Sequence, residues 1–116
     1  MTTLRELITA HPDRFHPQTW YADEPFMDFG VQSAVRLPSF TTMPRPNGQE
    51  LPRAAMLAQL FLMYPHADVW TKYLWCKDTD RLGQRVYVGN VCEANGHRLE
   101  VHRHLAITDR WGVATW

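Results

Sequence analysis

Arg85-Val86-Tyr87-Val88-Gly89-Asn90-Val91-Cys92-Glu93 meets His97-Arg98-Leu99-Glu100-Val101-His102-Arg103-His104-Leu105 across Ala94-Asn95-Gly96, and this stretch decides the fold. Both flanks alternate apolar and polar residues, the period of a half-buried strand. Asn-Gly between such flanks tolerates the positive φ of a type I′ turn, so the stretch predicts a carboxy-terminal β-hairpin.

A two-residue loop sets the register by counting back from Ala94 opposite His97. One face then carries Val86, Val88, Asn90 and Cys92 opposite Leu105, Arg103, Val101 and Leu99, and serves as the core face. The other carries Tyr87, Gly89, Val91 and Glu93 opposite His104, His102, Glu100 and Arg98. Glu93 with Arg98 is a favourable cross-strand pair, and Tyr87 falls beside His104. Arg103 and Asn90 sit badly on the core face. The ladder is therefore expected either to break near Gly89-Asn90 in a bulge or to leave those two residues at an open edge.

Upstream, Thr3 stands three residues before Glu6, a capping-box spacing, and Leu4, Leu7 and Ile8 share one face of a short helix ending near His11-Pro12. Trp20, Tyr21, Phe26, Met27 and Phe29 mix with acids in a segment that reads equally as a short helix or an irregular cover over the core. Val31, Val35 and Leu37 suit a short strand. Pro38, Pro44, Pro46 and Pro52, with Asn47-Gly48 between them, mark a proline-rich loop over residues 38–52. Pro52 then suits the first turn of a buried helix through Met63, which Pro65 stops. A second helix is expected from about Ala67, with Val69, Trp70, Tyr73 and Leu74 on one face. Ile107 to Trp116 holds a turn candidate at Asp109–Gly112 and a further short strand.

The chain of 116 residues, with 45% hydrophobic and 21% charged, falls in the size and composition range of one folding domain, residues 1–116. The expected class is α+β: a small antiparallel sheet, made of the hairpin and one or two short strands, packed against two or three helices. Twelve basic residues balance twelve acidic ones, so no net field draws the chain to nucleic acid or anionic membrane. No apolar run approaches the roughly 20 residues of a membrane span, and the first residues lack the charged-then-apolar order of a signal peptide. These features predict a cytoplasmic protein without a membrane partner. Cys76 and Cys92 form no Cys-x-x-Cys pair and read as unpaired thiols.

Few residues point to chemistry. His102 and His104, two apart on a strand, point the same way and could share a metal, though no third ligand is evident. Asp78-Thr79-Asp80 could hold a hydrated cation, but such a pair more often marks a turn or a helix end. Were both groups to face one cleft, a metal-dependent hydrolase would follow. No nucleophile elbow and no glycine-rich phosphate loop occurs, and no cofactor is expected. Tyr87, Arg98, His102 and His104 could instead stack and pair with nucleic acid. Five Trp, four Tyr and five Phe favour an interaction surface, with Trp75 off the main core stripe and Trp111 and Trp116 in the terminal segment. The leading expectation is a non-enzymatic protein that binds a protein partner or itself, with Tyr87, Arg98, His102, His104, Trp75 and Trp111 as its contact residues. A metal-binding protein or hydrolase using His102 and His104, and a nucleic-acid module on the hairpin face, are the alternatives.

Overall fold

Thr3 accepts a hydrogen bond from the Glu6 amide on its hydroxyl at 3.1 Å and starts helix α1, Leu4–Ala10. The capping spacing thus does what it predicts, and Leu4 is buried. The protein is described by a computed structural model over residues 3–16, 24, 36–42, 51–103 and 111–115. The aromatic segment around Trp20–Phe29, most of the Val31–Leu37 strand and the loop centred on Asn47-Gly48 lie outside the described residues. Within the 38–52 stretch, Ser39–Thr42 form strand β1, so the proline-rich region is a strand at its start and not loop throughout. Pro38 directly precedes this strand, a position where a missing amide donor costs no internal ladder bond.

Helix α2, Ala54–Met63, follows Pro52 as expected and buries Ala54, Ala55, Leu57, Ala58, Leu60 and Phe61. Each large side chain among these contributes about 1.5–3 kcal/mol by leaving water. Phe61 meets Phe15 and Trp70 edge to face, with ring centroids 6.3 and 5.8 Å apart.

The expected second helix from Ala67 is replaced. Asp68–Thr71 makes one 3-10 turn, and Tyr73–Thr79 is strand β2. Trp70 and Leu74, four apart, share a helical spacing, as do Val69 and Tyr73, but Tyr73, Leu74, Trp75 and Cys76 also fit a pleat, and pairing on both sides decides between them. On one side lies β3, Arg85–Gly89, antiparallel; on the other lies β5, Trp111–Thr115, parallel. The complete sheet has the order β1-β5-β2-β3-β4, with β4 being Glu100–Arg103. The α+β class stands, with two α-helices and an antiparallel β2-β3-β4 portion. The sheet runs further than the hairpin and one or two strands, because β2 takes residues assigned to a helix and β1 takes residues assigned to a loop.

The hairpin of β3 and β4 forms, but with a wider connection. Val86 pairs with Arg103, Tyr87 with His102, Val88 with Val101 and Gly89 with Glu100, a register two residues from the one counted from a two-residue loop. A shift of two preserves both faces and changes every partner. The cause is local. At Gly89 (φ 137°) and Asn90 (φ 55°) the chain leaves the ladder, and the Asn90 and Val91 amides donate to the Lys72 and Trp70 carbonyls. This is the interruption that Asn90 and Arg103 signalled. Positive φ then falls on Gly96 and His97, after a 3-10 turn at Glu93–Asn95. Asn95 ties this loop together: its Oδ1 accepts from the Cys92 and Arg98 amides, and its Nδ2 donates to the Asn90 carbonyl at 2.6 Å. Glu93 and Arg98 therefore lie in the loop and not opposite one another in the ladder. Phe15, bridged in parallel to Leu99, continues the sheet beyond the start of β4.

Candidate functional site

The sheet has two unlike faces. Leu74, Cys76, Val86, Val88 and Val101 are buried with the helices in a single core cluster. Register places Tyr73, Trp75, Tyr87, Glu100 and His102 on the opposite face. Trp111, in β5, is in register with Tyr73, and its side chain lies outside the described residues, as does His104 altogether.

Tyr87 is the centre of that second face and is wholly buried. Its hydroxyl donates to Glu100 Oε1 at 2.8 Å, while Asn90 Nδ2 donates to Glu100 Oε2 at the same distance. Burial, reinforced by the Glu100 carboxylate, pushes the phenol far above its ordinary value. Tyr73 packs edge-on against Tyr87 at 5.2 Å, and His102 lies tilted against it at 5.9 Å. Tyr87 is thus a structural anchor, not a contact residue: a ring with no exposed surface cannot stack on a base or a partner. Glu100 and Asn90, which satisfy it, were not among the expected site residues. Their signal was present, since Glu100 shares parity with His102, and Asn90 misfits the core face.

His102 is half-buried, in surroundings that favour its neutral ring. Its Nδ1 accepts the Arg103 amide at 2.8 Å, which requires that nitrogen to be unprotonated. Burial pulls its pKa down, Arg103 and His16 pull the same way, and Glu100 opposes them. The half-buried Trp75 carries the Arg85 guanidinium over its ring at 5.8 Å, and Arg85 Nη1 is held by the Cys76 carbonyl at 2.9 Å. Arg98 is half-buried in the loop, where Asn95 receives its amide, away from the Trp75 end of the face.

The Asp-x-Asp pair is consumed by the fold. Asp78 accepts the Ala54 amide, the first of α2, at 3.4 Å, and pairs with Arg53 at 3.5 Å. Asp80 Oδ1 accepts the Leu82 and Gln84 amides at 2.9 and 2.8 Å, closing the β2–β3 turn. Its Oδ2 pairs with Arg103 at 3.3 Å, and Glu24 shares that guanidinium at 3.9 Å. One carboxylate serves a helix start and the other a turn. Cys76 is buried, and desolvation pushes its thiol up, away from the thiolate a nucleophile needs. Among the described residues no three His, Cys, Asp or Glu side chains converge as metal ligands, and no helix is long and apolar enough to cross a membrane. No family model matches the chain, and neither a curated protein nor a solved structure shows significant similarity to it.

Proposed function

We propose that this chain is a non-catalytic binding module that engages a protein partner, or a second copy of itself, through the Trp75 end of its second sheet face. One observation carries the reading: Trp75 of β2 and Arg85 of the neighbouring β3 form a half-buried cation–ring pair, and Trp, Tyr and Arg are the side chains that dominate binding energy at protein interfaces. Arg85 is fixed by the Cys76 carbonyl, so little side-chain freedom remains to be lost on association. Tyr73 and His102, both half-buried, extend the same face. The groups that would carry chemistry are meanwhile committed to holding the fold, as Asp78, Asp80 and Cys76 illustrate. A cytoplasmic setting suits two unpaired thiols, Cys76 and Cys92.

The test is sedimentation over a concentration series, followed by affinity capture with the intact chain as bait. A concentration-dependent dimer, or one stoichiometric protein partner, that is weakened about tenfold or more by Trp75→Ala or Arg85→Ala is expected. A strict monomer that captures nothing stoichiometric would overturn the proposal. So would a complex indifferent to both substitutions.

A further inference from the structure

We propose that His66 and His97 together bind one divalent first-row transition-metal ion, with water filling the remaining coordination positions. They come from distant parts of the chain, His66 from the turn after α2 and His97 from the β3–β4 loop, yet their ring centroids lie 5.7 Å apart at 79°. Two imidazoles on one tetrahedral ion, with nitrogens about 2.0–2.1 Å from it, place their ring centres roughly 5 Å apart. The ring centres of the two exposed side chains are therefore already within about an ångström of that spacing, and rotation about their side-chain bonds can turn a nitrogen of each toward a common ion.

Three further features favour this pair over His102. Both rings are exposed, and among the described residues neither has a hydrogen bond on a ring nitrogen, whereas His102 has committed Nδ1 to the Arg103 amide. Both backbones are held. His97 sits at φ 58° with its amide on the Cys92 carbonyl at 3.0 Å, and the His66 turn is pinned by Trp70 Nε1 on the Tyr64 carbonyl at 2.7 Å. His66 also lies in the turn that follows the carboxy-terminal end of α2, the end whose dipole favours a cation. Two imidazoles, with no third His, Cys, Asp or Glu converging on them among the described residues, suit Cu²⁺, Ni²⁺ or Zn²⁺ and not the hard ions Mg²⁺ or Ca²⁺.

The site is separate from the Trp75–Arg85 face and stands or falls independently of it. The experiment titrates the intact, metal-stripped chain at pH 7.5 with CuCl₂, NiCl₂ and ZnCl₂ in turn, by calorimetry, and with MgCl₂ as the control. One equivalent is expected to bind, most tightly for Cu²⁺, with Mg²⁺ silent. His66→Ala and His97→Ala should each weaken binding about tenfold or more, since each removes an intramolecular second ligand. Both residues are exposed, and an unchanged circular dichroism spectrum verifies that the variants fold. No binding by the intact chain overturns the proposal, and so does binding that survives in the double variant, because the ion then sits elsewhere.

Discussion

Arg103 Nη1 lies 3.3 Å from Asp80 Oδ2, joining the last residue of β4 to the turn between β2 and β3. The guanidinium is one-third exposed, while the carboxylate is fully buried and already accepts two turn amides. Removing the arginine therefore strands a buried negative charge instead of merely deleting a surface pair. Arg103→Ala should cost about 2–3 kcal/mol in urea unfolding at neutral pH, and Asp80→Asn in the same background should recover part of that loss. Additive losses would show that the two side chains are not coupled.

Asp78 presents the opposite balance. Its carboxyl is pushed up, first by burial, and the Ala54 amide and Arg53 compensate only in part. The ionised form is therefore a net cost, while the oxygen that receives the Ala54 amide is an asset. Asp78→Asn keeps an acceptor without the charge and should alter stability little at pH 7. Asp78→Ala leaves that amide unmet and should lose about 1–2 kcal/mol. Because the folded state holds the Asp78 proton longer than the unfolded state, wild type should lose ground to Asp78→Asn as pH rises from 3.8 through the raised folded value. Parallel denaturation curves at several pH values read this directly.

At Gly89 a Cβ would stand 1.8 Å from the Lys72 carbonyl oxygen, at a φ of 137°. The obstacle is backbone, so no side chain can yield. Gly89→Ala should cost about 3 kcal/mol or more and leave little folded protein at 37 °C. Gly83, at φ 79° but with nothing within 4 Å of its Cβ position, should lose only about 1 kcal/mol on the same change. The difference between the two melting temperatures reads the close approach at Gly89 together with its more demanding backbone angle.

Much of this was legible because local signals and tertiary context agreed. Thr3 capping Glu6, the apolar run of α2, and the period-two alternation around Val86 and Val88 each had one physical solution. The disagreement at Asn90 and Arg103 was also legible: it marked where the ladder breaks and where a cation reaches back to Asp80. The register was not, since it depended on Gly89 and Asn90 turning to bond Lys72 and Trp70, carbonyls from a segment assigned to a helix. That assignment failed because Tyr73 to Cys76 satisfy both periods, and only their pairing with β3 and β5 selects the strand. The candidate site suffered in the same way. Tyr87 reads as a surface aromatic because no local pattern reports that its ring is buried on the second face while its neighbours there are only half-buried, whereas Arg85, fixed beside Trp75 by a carbonyl of the neighbouring strand, has no signature in spacing at all.

The Tyr87 hydroxyl offers a check on that reassignment. Tyr87→Phe removes the donor to Glu100 Oε1 while Asn90 retains the other oxygen. Stability should fall by about 1–2 kcal/mol, the loss of a buried bond to a charged acceptor. If Tyr87 is an anchor, association measured below the unfolding transition should be unchanged. A tenfold loss of association with full stability would return it to the contact surface.

His102 supplies the pH dependence. Its folded pKa lies below the ordinary 6.5, because burial disfavours the imidazolium and the charges of Arg103 and His16 add to that against the pull of Glu100. As pH falls below 6.5 the unfolded chain takes up a proton that the folded chain refuses, so this residue makes the protein less stable toward acid, until the folded pKa is passed. Above 6.5 both states are neutral, and the contribution is level. Wild type should therefore lose more stability between pH 7.5 and 5 than His102→Asn, whose Oδ1 takes the place of Nδ1 as acceptor of the Arg103 N–H and does not titrate. Urea midpoints at the two pH values for both proteins measure the difference. Equal pH sensitivity would mean that His102 titrates alike in the folded and unfolded chain, and that its hold on the Arg103 amide does not survive in solution.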